Sequence, residues 1–205
     1  VMNLHLRPKT LYFSRHGQSL YNVEDRVGGD SSLSPEGRLY AESLKKFVLN
    51  KIEDHDNIKV WTSTLQRTQE TVKPLGKVPK ERKSLDEINA GLCDGLTYEE
   101  IKQRYPDIAS ARQADKLRYR YPQGESYEDV IERLEPIIFE LERSKKSVLL
   151  IAHQAILRAL YAYFANRPLS DVPYLSIPLH TVIQLTPETY GCVEMRHALP
   201  PQLDD

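Results

Sequence analysis

The sequence predicts an α/β fold in three layers, a mainly parallel sheet with helices on both faces. Three observations carry that reading. Short strand-prone apolar runs recur at residues 11–13, 58–62 and 148–152, each stops abruptly in a polar stretch, and each is followed by apolar residues at helical spacing. Strands alternating with helical patterns point to parallel pairing, because a parallel neighbour is reached only through a crossover.

The first run lies in T-L-Y-F-S-R-H-G-Q-S-L-Y-N at 10–22 and ends at Arg15, His16 and Gly17. His16 is thereby placed at the carboxyl end of a strand, where open α/β sheets bind ligands. Gly17 is expected to let the backbone turn without a Cβ. Ser34 caps a helix that Pro35 opens and in which Tyr40, Leu44, Phe47 and Val48 share a face. The second strand, 58–62, exits through polar residues 63–68 into another helix. From Val78 to Asp94 the periodicity weakens, predicting a loop with a short extended piece at 85–88. Thr97 and Glu100 form a capping box for a helix through Arg104, closed by Pro106.

Residues 111–124 are rich in Arg, Lys and Tyr, lack a helical stripe, and read as an excursion from the core; the whole insertion covers about 78–125. Ser126 with Asp129 caps a long helix in which Val130, Leu134, Ile137, Ile138 and Leu141 share a face, with Pro136 expected to kink it. Residues 148–152 are the clearest buried strand; His153-Gln154 and a helix over 155–164 follow. Late strands are expected at 180–185 and 192–195, with 200–205 a frayed tail. There are no internal repeats. One domain, 1–205 with its core at about 9–196, accounts for the chain.

Composition bounds the function. With 28 basic against 29 acidic residues, the net charge of -1 gives no global pull toward nucleic acid or membrane, so anion recognition has to come from local clustering. Two cysteines, Cys93 and Cys192, show neither metal-site spacing nor a disulfide framework, which points to a reducing compartment and by default the cytoplasm. No apolar run reaches transmembrane length, and the first residues lack a signal-peptide pattern. A chain that begins Val1-Met2 is expected to be a fragment or processed piece.

Three strand ends carry Arg15-His16, Arg67 and His153. Singly, a satisfied interior histidine and a solvated arginine are the commoner fates of such residues. Jointly, at the same position in three strand–loop units, they predict two histidines and two arginines converging at one sheet edge.

These residues also sit in motifs. S-R-H-G-Q-S-x-x-N at 14–22, W-T-S-x-x-x-R at 61–67, D-E-I-N-A-G at 86–91 and A-H-Q at 152–154 resemble the histidine phosphatase superfamily, which includes the phosphoglycerate mutases. G-G-D at 28–30, G-L-T-Y-E-E-I at 95–101, A-R-x-x-D-K-x-R-Y-R-Y-P at 111–122, G-E-S-Y at 124–127 and P-L-H-T-V at 178–182 narrow the likeness. They resemble the fructose-2,6-bisphosphatase domains of bifunctional 6-phosphofructo-2-kinase/fructose-2,6-bisphosphatases, over about residues 4–196. Ser14 and Ala152 stand where animal members carry cysteine, and Asn89 where aspartate is frequent. None is a presumed catalytic position.

The resemblance implies a phosphoglycerate mutase-like fold and hydrolysis of the C2 phosphate of fructose 2,6-bisphosphate, through a phosphohistidine at His16, to fructose 6-phosphate and phosphate. It implies that Arg15, Arg67 and His153 surround the transferring phosphoryl group and that Glu87 is the general acid. Tyr98, Arg112, Lys116, Tyr127, Gln154 and Arg158 match the family's pocket for the distal C6 phosphate, and Asn22 and Gly28 its residues near the reacting end. A kinase domain fused in the native chain is also implied; no G-x-x-x-x-G-K-[ST] loop occurs within these residues. A broader sugar phosphatase, a phosphoglycerate mutase, or a non-catalytic regulatory module retaining the pocket are the alternatives.

Elementary chemistry asks for the same parts. A phosphate monoester repels nucleophiles, so a site must neutralise its oxygens while presenting an uncharged nucleophile in line. Guanidinium forks suit the first task, and a histidine whose pKa is pushed down by two cations suits the second. By chemistry alone Asp86 and Glu87 are equivalent candidates for the acid, although neighbours in an extended segment face opposite ways and only one can serve. Arg112 and Lys116 are four residues apart, so within one helical turn they could grip one phosphate together. Arg118 and Arg120 read as a solvated face. No metal or other cofactor is expected, because six histidines and two cysteines offer no ligand cluster and arginine supplies the positive charge.

Overall fold

Val148–Ala152 is apolar at every position because both of its faces are covered, and it runs through the middle of the sheet. A computed structural model describes residues 9–188 and 191–200. Its six strands are β1 (Leu11–Arg15), β2 (Lys59–Thr62), β3 (Lys80–Glu81), β4 (Val148–Ala152), β5 (Thr181–Glu188) and β6 (Gly191–Ala198), in the order β3-β2-β4-β1-β5-β6. β3, β2, β4 and β1 pair in parallel; β5 and β6 add an antiparallel hairpin at β1's other edge.

Side-chain alternation sorts the core into two layers. Leu11 and Phe13 of β1, Trp61 of β2, and Val148, Leu150 and Ala152 of β4 pack with helices α6 (Tyr127–Arg143) and α7 (Gln154–Phe164). Tyr12, Val60, Leu149 and Ile151 point the other way, onto Tyr40, Leu44, Phe47 and Val48 of α2 (Pro35–Lys51) and Val72 of α3 (Gln66–Val72). The Ser34 cap forms as expected: its Oγ accepts the Gly37 amide at 3.1 Å, and Pro35 opens α2. Helix α1 (Leu20–Val23) is a single turn capped by Ser19.

The insertion departs from the sequence reading. The expected extended piece at 85–88 is absent: the strand is β3 at Lys80–Glu81, a 3-10 turn follows at Lys83–Leu85, and 86–90 is irregular. The buried Leu85 and the half-buried Ile88 pack inward without a strand partner. Helix α4 (Tyr98–Arg104) has its Thr97–Glu100 capping box. Pro106, however, opens a further helix, α5 (Pro106–Ala114), across part of the segment read as irregular. That helix buries no residue, so it carries no apolar stripe for the eye to find. A small cluster of Ala90, Cys93, Ile101 and Tyr121 holds the insertion together.

Helix α6 continues through Pro136 to Arg143, and the late strands run three residues further at their C-terminal ends than expected. The expected tail at 200–205 falls outside the described residues from 201 onward, as do residues 1–8. No helix of the described residues is long and apolar enough to cross a membrane.

Candidate active site

Register decides which residues meet. Arg15 of β1 pairs with Ala152 of β4, and Thr62 of β2 with Ile151, so the three strands end side by side. The His16 amide donates to the Ala152 carbonyl at 3.0 Å, extending the ladder by one residue. His16, His153 and Ser63 are therefore brought to one edge by backbone pairing, and Arg67 joins them from the first turn of α3.

The loop after β1 is clamped from three directions. The Gly17 amide donates to Thr71 Oγ1 of α3 at 2.9 Å, the Ser34 amide to the Gln18 carbonyl at 2.8 Å, and the Gln18 amide to His180 Nε2 at 3.1 Å. Gly17 has no positive φ; what the turn needs from it is the missing Cβ. It supplies room: a Cβ there would collide with the backbone of Gly37 on α2.

His16 is buried, and its ring orientation follows from its partners. A carbonyl only accepts, so the 2.6 Å contact with the Gly17 oxygen places the proton on Nδ1 and leaves Nε2 with its lone pair. Arg67 Nε donates to that Nε2 at 3.2 Å, and Arg67 Nη1 donates to the Gly29 carbonyl at 2.7 Å. The Gly29 turn, with φ of 61°, is tied down by its amide donating to Asp94 Oδ1 at 3.0 Å. Burial first, then Arg67 and Arg15, hold the His16 pKa well below the usual imidazole range.

His153 is fully buried, its ring 5.1 Å from that of His16. Its proton can be traced. Thr68 Oγ1 reaches the Leu65 carbonyl at 2.9 Å, which takes its proton, so Ser63 is the donor in the 2.9 Å contact between the two hydroxyls. With that proton committed, His153 Nε2 must donate to Ser63 Oγ, at 2.8 Å, and the neutral ring carries its lone pair on Nδ1. That Nδ1 is buried without a hydrogen-bond partner. Burial, then Arg67, His16 and Arg15, push the His153 pKa well below its ordinary value.

Arg15 is anchored by Nη1 donating to the Ile177 carbonyl at 3.2 Å, while its buried Nε has no partner. Burial lowers its pKa to about 10, against the pull of Glu87, so it remains a cation at neutral pH. The structure separates the two acids. Asp86 accepts from the Thr64 amide at 2.8 Å and from its hydroxyl, turned away from the cleft. Glu87 lines the cleft, its Oε1 accepting from the amides of Ile88 at 2.9 Å and Ala155 at 3.3 Å, which leaves Oε2 free of these bonds.

The cleft measures about 250 Å³, and twelve of the thirteen expected site residues line it: Arg15, His16, Asn22, Gly28, Arg67, Glu87, Tyr98, Arg112, Lys116, Tyr127, Gln154 and Arg158. His153 is the exception, lying beneath His16. Arg112 sits over the rings of Tyr98 and Tyr121, at 5.8 and 5.6 Å, and Arg158 donates to the Tyr127 hydroxyl at 3.0 Å and the Leu175 carbonyl at 2.8 Å. Lys116 donates to the Pro173 carbonyl at 3.1 Å; burial, then Arg112 and Arg158, bring its pKa down to about 8. Arg112 and Lys116 do not share a helical turn as expected, because α5 ends at Ala114 and the chain turns at Asp115. Both nonetheless face the cleft. The Asn22 oxygen caps α1 through the Ser19 amide at 3.0 Å, so its NH2 group is what it can offer a ligand. Gly28, with φ of 70°, would drive a Cβ into the Asp94 carboxylate. Arg118 and Arg120 are exposed and paired with Asp115 and Asp129, as the sequence reading had them.

Sequence reasoning missed Ser63, Tyr121 and Ile88. Ser63 stands directly after β2 in the W-T-S run, so its strand-end position was a usable signal; Tyr121 and Ile88 lie inside the 111–122 and 86–91 motifs, which were the signal for them. Among the described residues, no group of three or more His, Cys, Asp or Glu could hold a metal ion.

The histidine phosphatase superfamily (branch 1) matches residues 11–199. The chain is 51% identical over 200 residues to 6-phosphofructo-2-kinase/fructose-2,6-bisphosphatase of Arabidopsis thaliana, covering 97% of this chain and 27% of that protein. It is 53% identical over 191 residues to fructose-2,6-bisphosphatase of Saccharomyces cerevisiae, covering 93% of this chain and 42% of that one. The chain thus spans less than half the length of these relatives. Among solved structures, the α-ribazole phosphatase of Shigella flexneri superposes with a TM-score of 0.82 at 19% identity, over 96% of this chain and 100% of that one, a likeness of fold.

Proposed function

The chain belongs to the histidine phosphatase superfamily, and from that footing we propose that it hydrolyses the C2 phosphate of fructose 2,6-bisphosphate through a phosphohistidine at His16. The observation that carries the reading is the lone pair of His16 Nε2, oriented by the Gly17 carbonyl and flanked by Arg67 in a cleft that also holds a second cationic cluster. The relatives' printed names support the choice of substrate.

In the first half-reaction Nε2 attacks phosphorus, and the bond from phosphorus to the C2 oxygen breaks. Arg15 and Arg67 neutralise the phosphoryl oxygens; His153 Nδ1 takes the proton of a phosphate that binds as its monoanion and offers it back as a further N–H, and that proton leaves with the product phosphate. Glu87 Oε2 gives its proton to the departing oxygen. In the second half-reaction the Glu87 carboxylate takes a proton from water as that water attacks phosphorus, the phosphorus–nitrogen bond breaks, and the His16 lone pair is restored. Arg112, Lys116 and Arg158, with Tyr98, Tyr127 and Gln154, bind the second phosphate, and Asn22 and Gly28 lie near the reacting end. Positive charge comes from arginine, so the reaction runs without a cofactor.

Two properties of the native protein belong to the same proposal. A kinase domain accompanies this one, supported by the bifunctional name and greater length of the Arabidopsis relative. Its location is the cytoplasm, supported by two free cysteines. The testing experiment is phosphate release from fructose 2,6-bisphosphate, fructose 1,6-bisphosphate, phosphoglycerates and nitrophenyl phosphate. A clear preference in kcat/KM for the first supports the proposal; comparable rates on all, interconversion of phosphoglycerates, or no turnover would replace it with a broad phosphatase, a mutase or a regulatory module.

A further inference from the structure

Glu87 sits on a segment that no strand or helix holds, since 86–90 is irregular. A general acid must nonetheless be fixed to within a fraction of an ångström to deliver its proton. The bonds around it come chiefly from Arg133, in the middle of α6. Arg133 Nη1 donates to the Ser84 carbonyl at 2.5 Å, and Nη2 to the Asp86 carbonyl at 2.8 Å, with the Glu87 carbonyl at 3.4 Å. The same guanidinium is held by Glu125, Nε to Oε1 at 2.8 Å and Nη2 to Oε2 at 3.1 Å. Glu125 Oε2 also accepts the Asn89 amide at 2.9 Å, and its backbone amide donates to the Asn89 carbonyl at 2.8 Å. The pair therefore grips the chain on both sides of residue 87.

We propose that Arg133, braced by Glu125, is a positioning residue that sets the backbone at Glu87 and so aims the acid at the leaving oxygen. Arg133 does not line the cleft. The planar fork matters: five contacts shared among Nε, Nη1 and Nη2 suit a guanidinium, and an ammonium cannot reach them together. The proposal rests on the general-acid reading of Glu87, and the test separates the two.

The experiment compares kcat/KM for fructose 2,6-bisphosphate, whose sugar oxygen needs a proton to leave, with that for nitrophenyl phosphate, whose phenolate does not. General acid catalysis contributes about 100 to 10,000-fold. Glu87→Gln is expected to lose that range on the sugar bisphosphate while the aryl ester changes little. Arg133→Gln is expected to lose about 100-fold on the first and under about 3-fold on the second. The double variant is expected to be no worse than Glu87→Gln alone, since a misplaced acid and a missing acid are the same defect. If Arg133→Gln does not fold, Arg133→Lys keeps the charge without the fork and is expected to show the same split in milder form. Equal losses on both substrates in the Arg133 variants, or additive losses in the double variant, overturn the proposal for Arg133 alone. No split in Glu87→Gln overturns the acid and its positioning residue together.

Discussion

Removing the Lys116 ammonium should separate substrate binding from chemistry. Its charge is sensed by Arg112 and Arg158 rather than by the histidines: those two arginines, after burial, lower its pKa, whereas His16 and His153 respond to Arg67 and Arg15. A cation about 4 Å from a phosphate oxygen at an effective dielectric of ~20 gains roughly 4 kcal/mol. Desolvating a half-buried ammonium offsets part of that, so the net loss on truncation is that of one charge-assisted hydrogen bond, about 1.5 to 3 kcal/mol, or about 10 to 150-fold. Lys116→Ala should therefore raise KM for fructose 2,6-bisphosphate by that factor at pH 7 with kcat little changed, and leave nitrophenyl phosphate nearly untouched. The sign of the pH effect follows from the pKa of about 8: in the free enzyme the ammonium is present below that value and lost as pH rises through it. Wild-type kcat/KM for the bisphosphate should fall above about pH 8, and Lys116→Ala should lack that limb. The assay is phosphate release from both substrates between pH 6.5 and pH 9.5. Equal damage to both substrates, or an alkaline limb that survives in the variant, would refute the assignment of Lys116 to the second phosphate.

Three further outcomes are expected. Rapid quench with C2-labelled substrate should put label on His16, stable in alkali and lost in acid; His16→Ala should abolish it and lower turnover about 10,000-fold or more, and label elsewhere ends the mechanism. Ser63→Ala removes the acceptor that orients His153 Nε2, so turnover should fall about 10-fold with KM held, the scale of one hydrogen bond, and an unchanged kcat would remove Ser63 from the site. Because His16 and His153 stay neutral in the fold at pH values where the unfolded chain is protonated, stability should be full above about pH 6.5. As pH falls below that, each ring should cost at most about 1.4 kcal/mol per unit until its depressed folded pKa is passed, with His180 adding in the same sense. Thermal melts from pH 7 to pH 5 should slope less steeply for His153→Gln than for wild type, and parallel slopes would contradict it.

The sequence by itself determined the layers and the edge at which chemistry gathers. Alternating apolar residues such as Leu11, Tyr12 and Phe13 can only be buried by elements on both faces of a strand, and caps such as Ser34, Thr97 and Ser126 mark helix starts through local bonds that need no tertiary partner. It also placed Arg15, His16, Arg67 and His153 at strand ends, and motif resemblance picked out nine further residues, from Asn22 to Arg158, that line the cleft. Only the tertiary structure decided how those residues stand to one another. The tautomer of His16 depends on the Gly17 carbonyl, and that of His153 on a chain of hydroxyls from Ser63 to Thr68 arriving from a different strand end. Helix α5 was invisible because nothing on it is buried, so no periodic stripe was required of its sequence. Asp86 and Glu87, equal in chemistry and adjacent in the chain, are parted by Thr64 binding the first while the second lines the cleft. Arg133 carried no signal in the sequence, because the carbonyls it binds, 84, 86 and 87, are far away in the chain and brought under it only by folding.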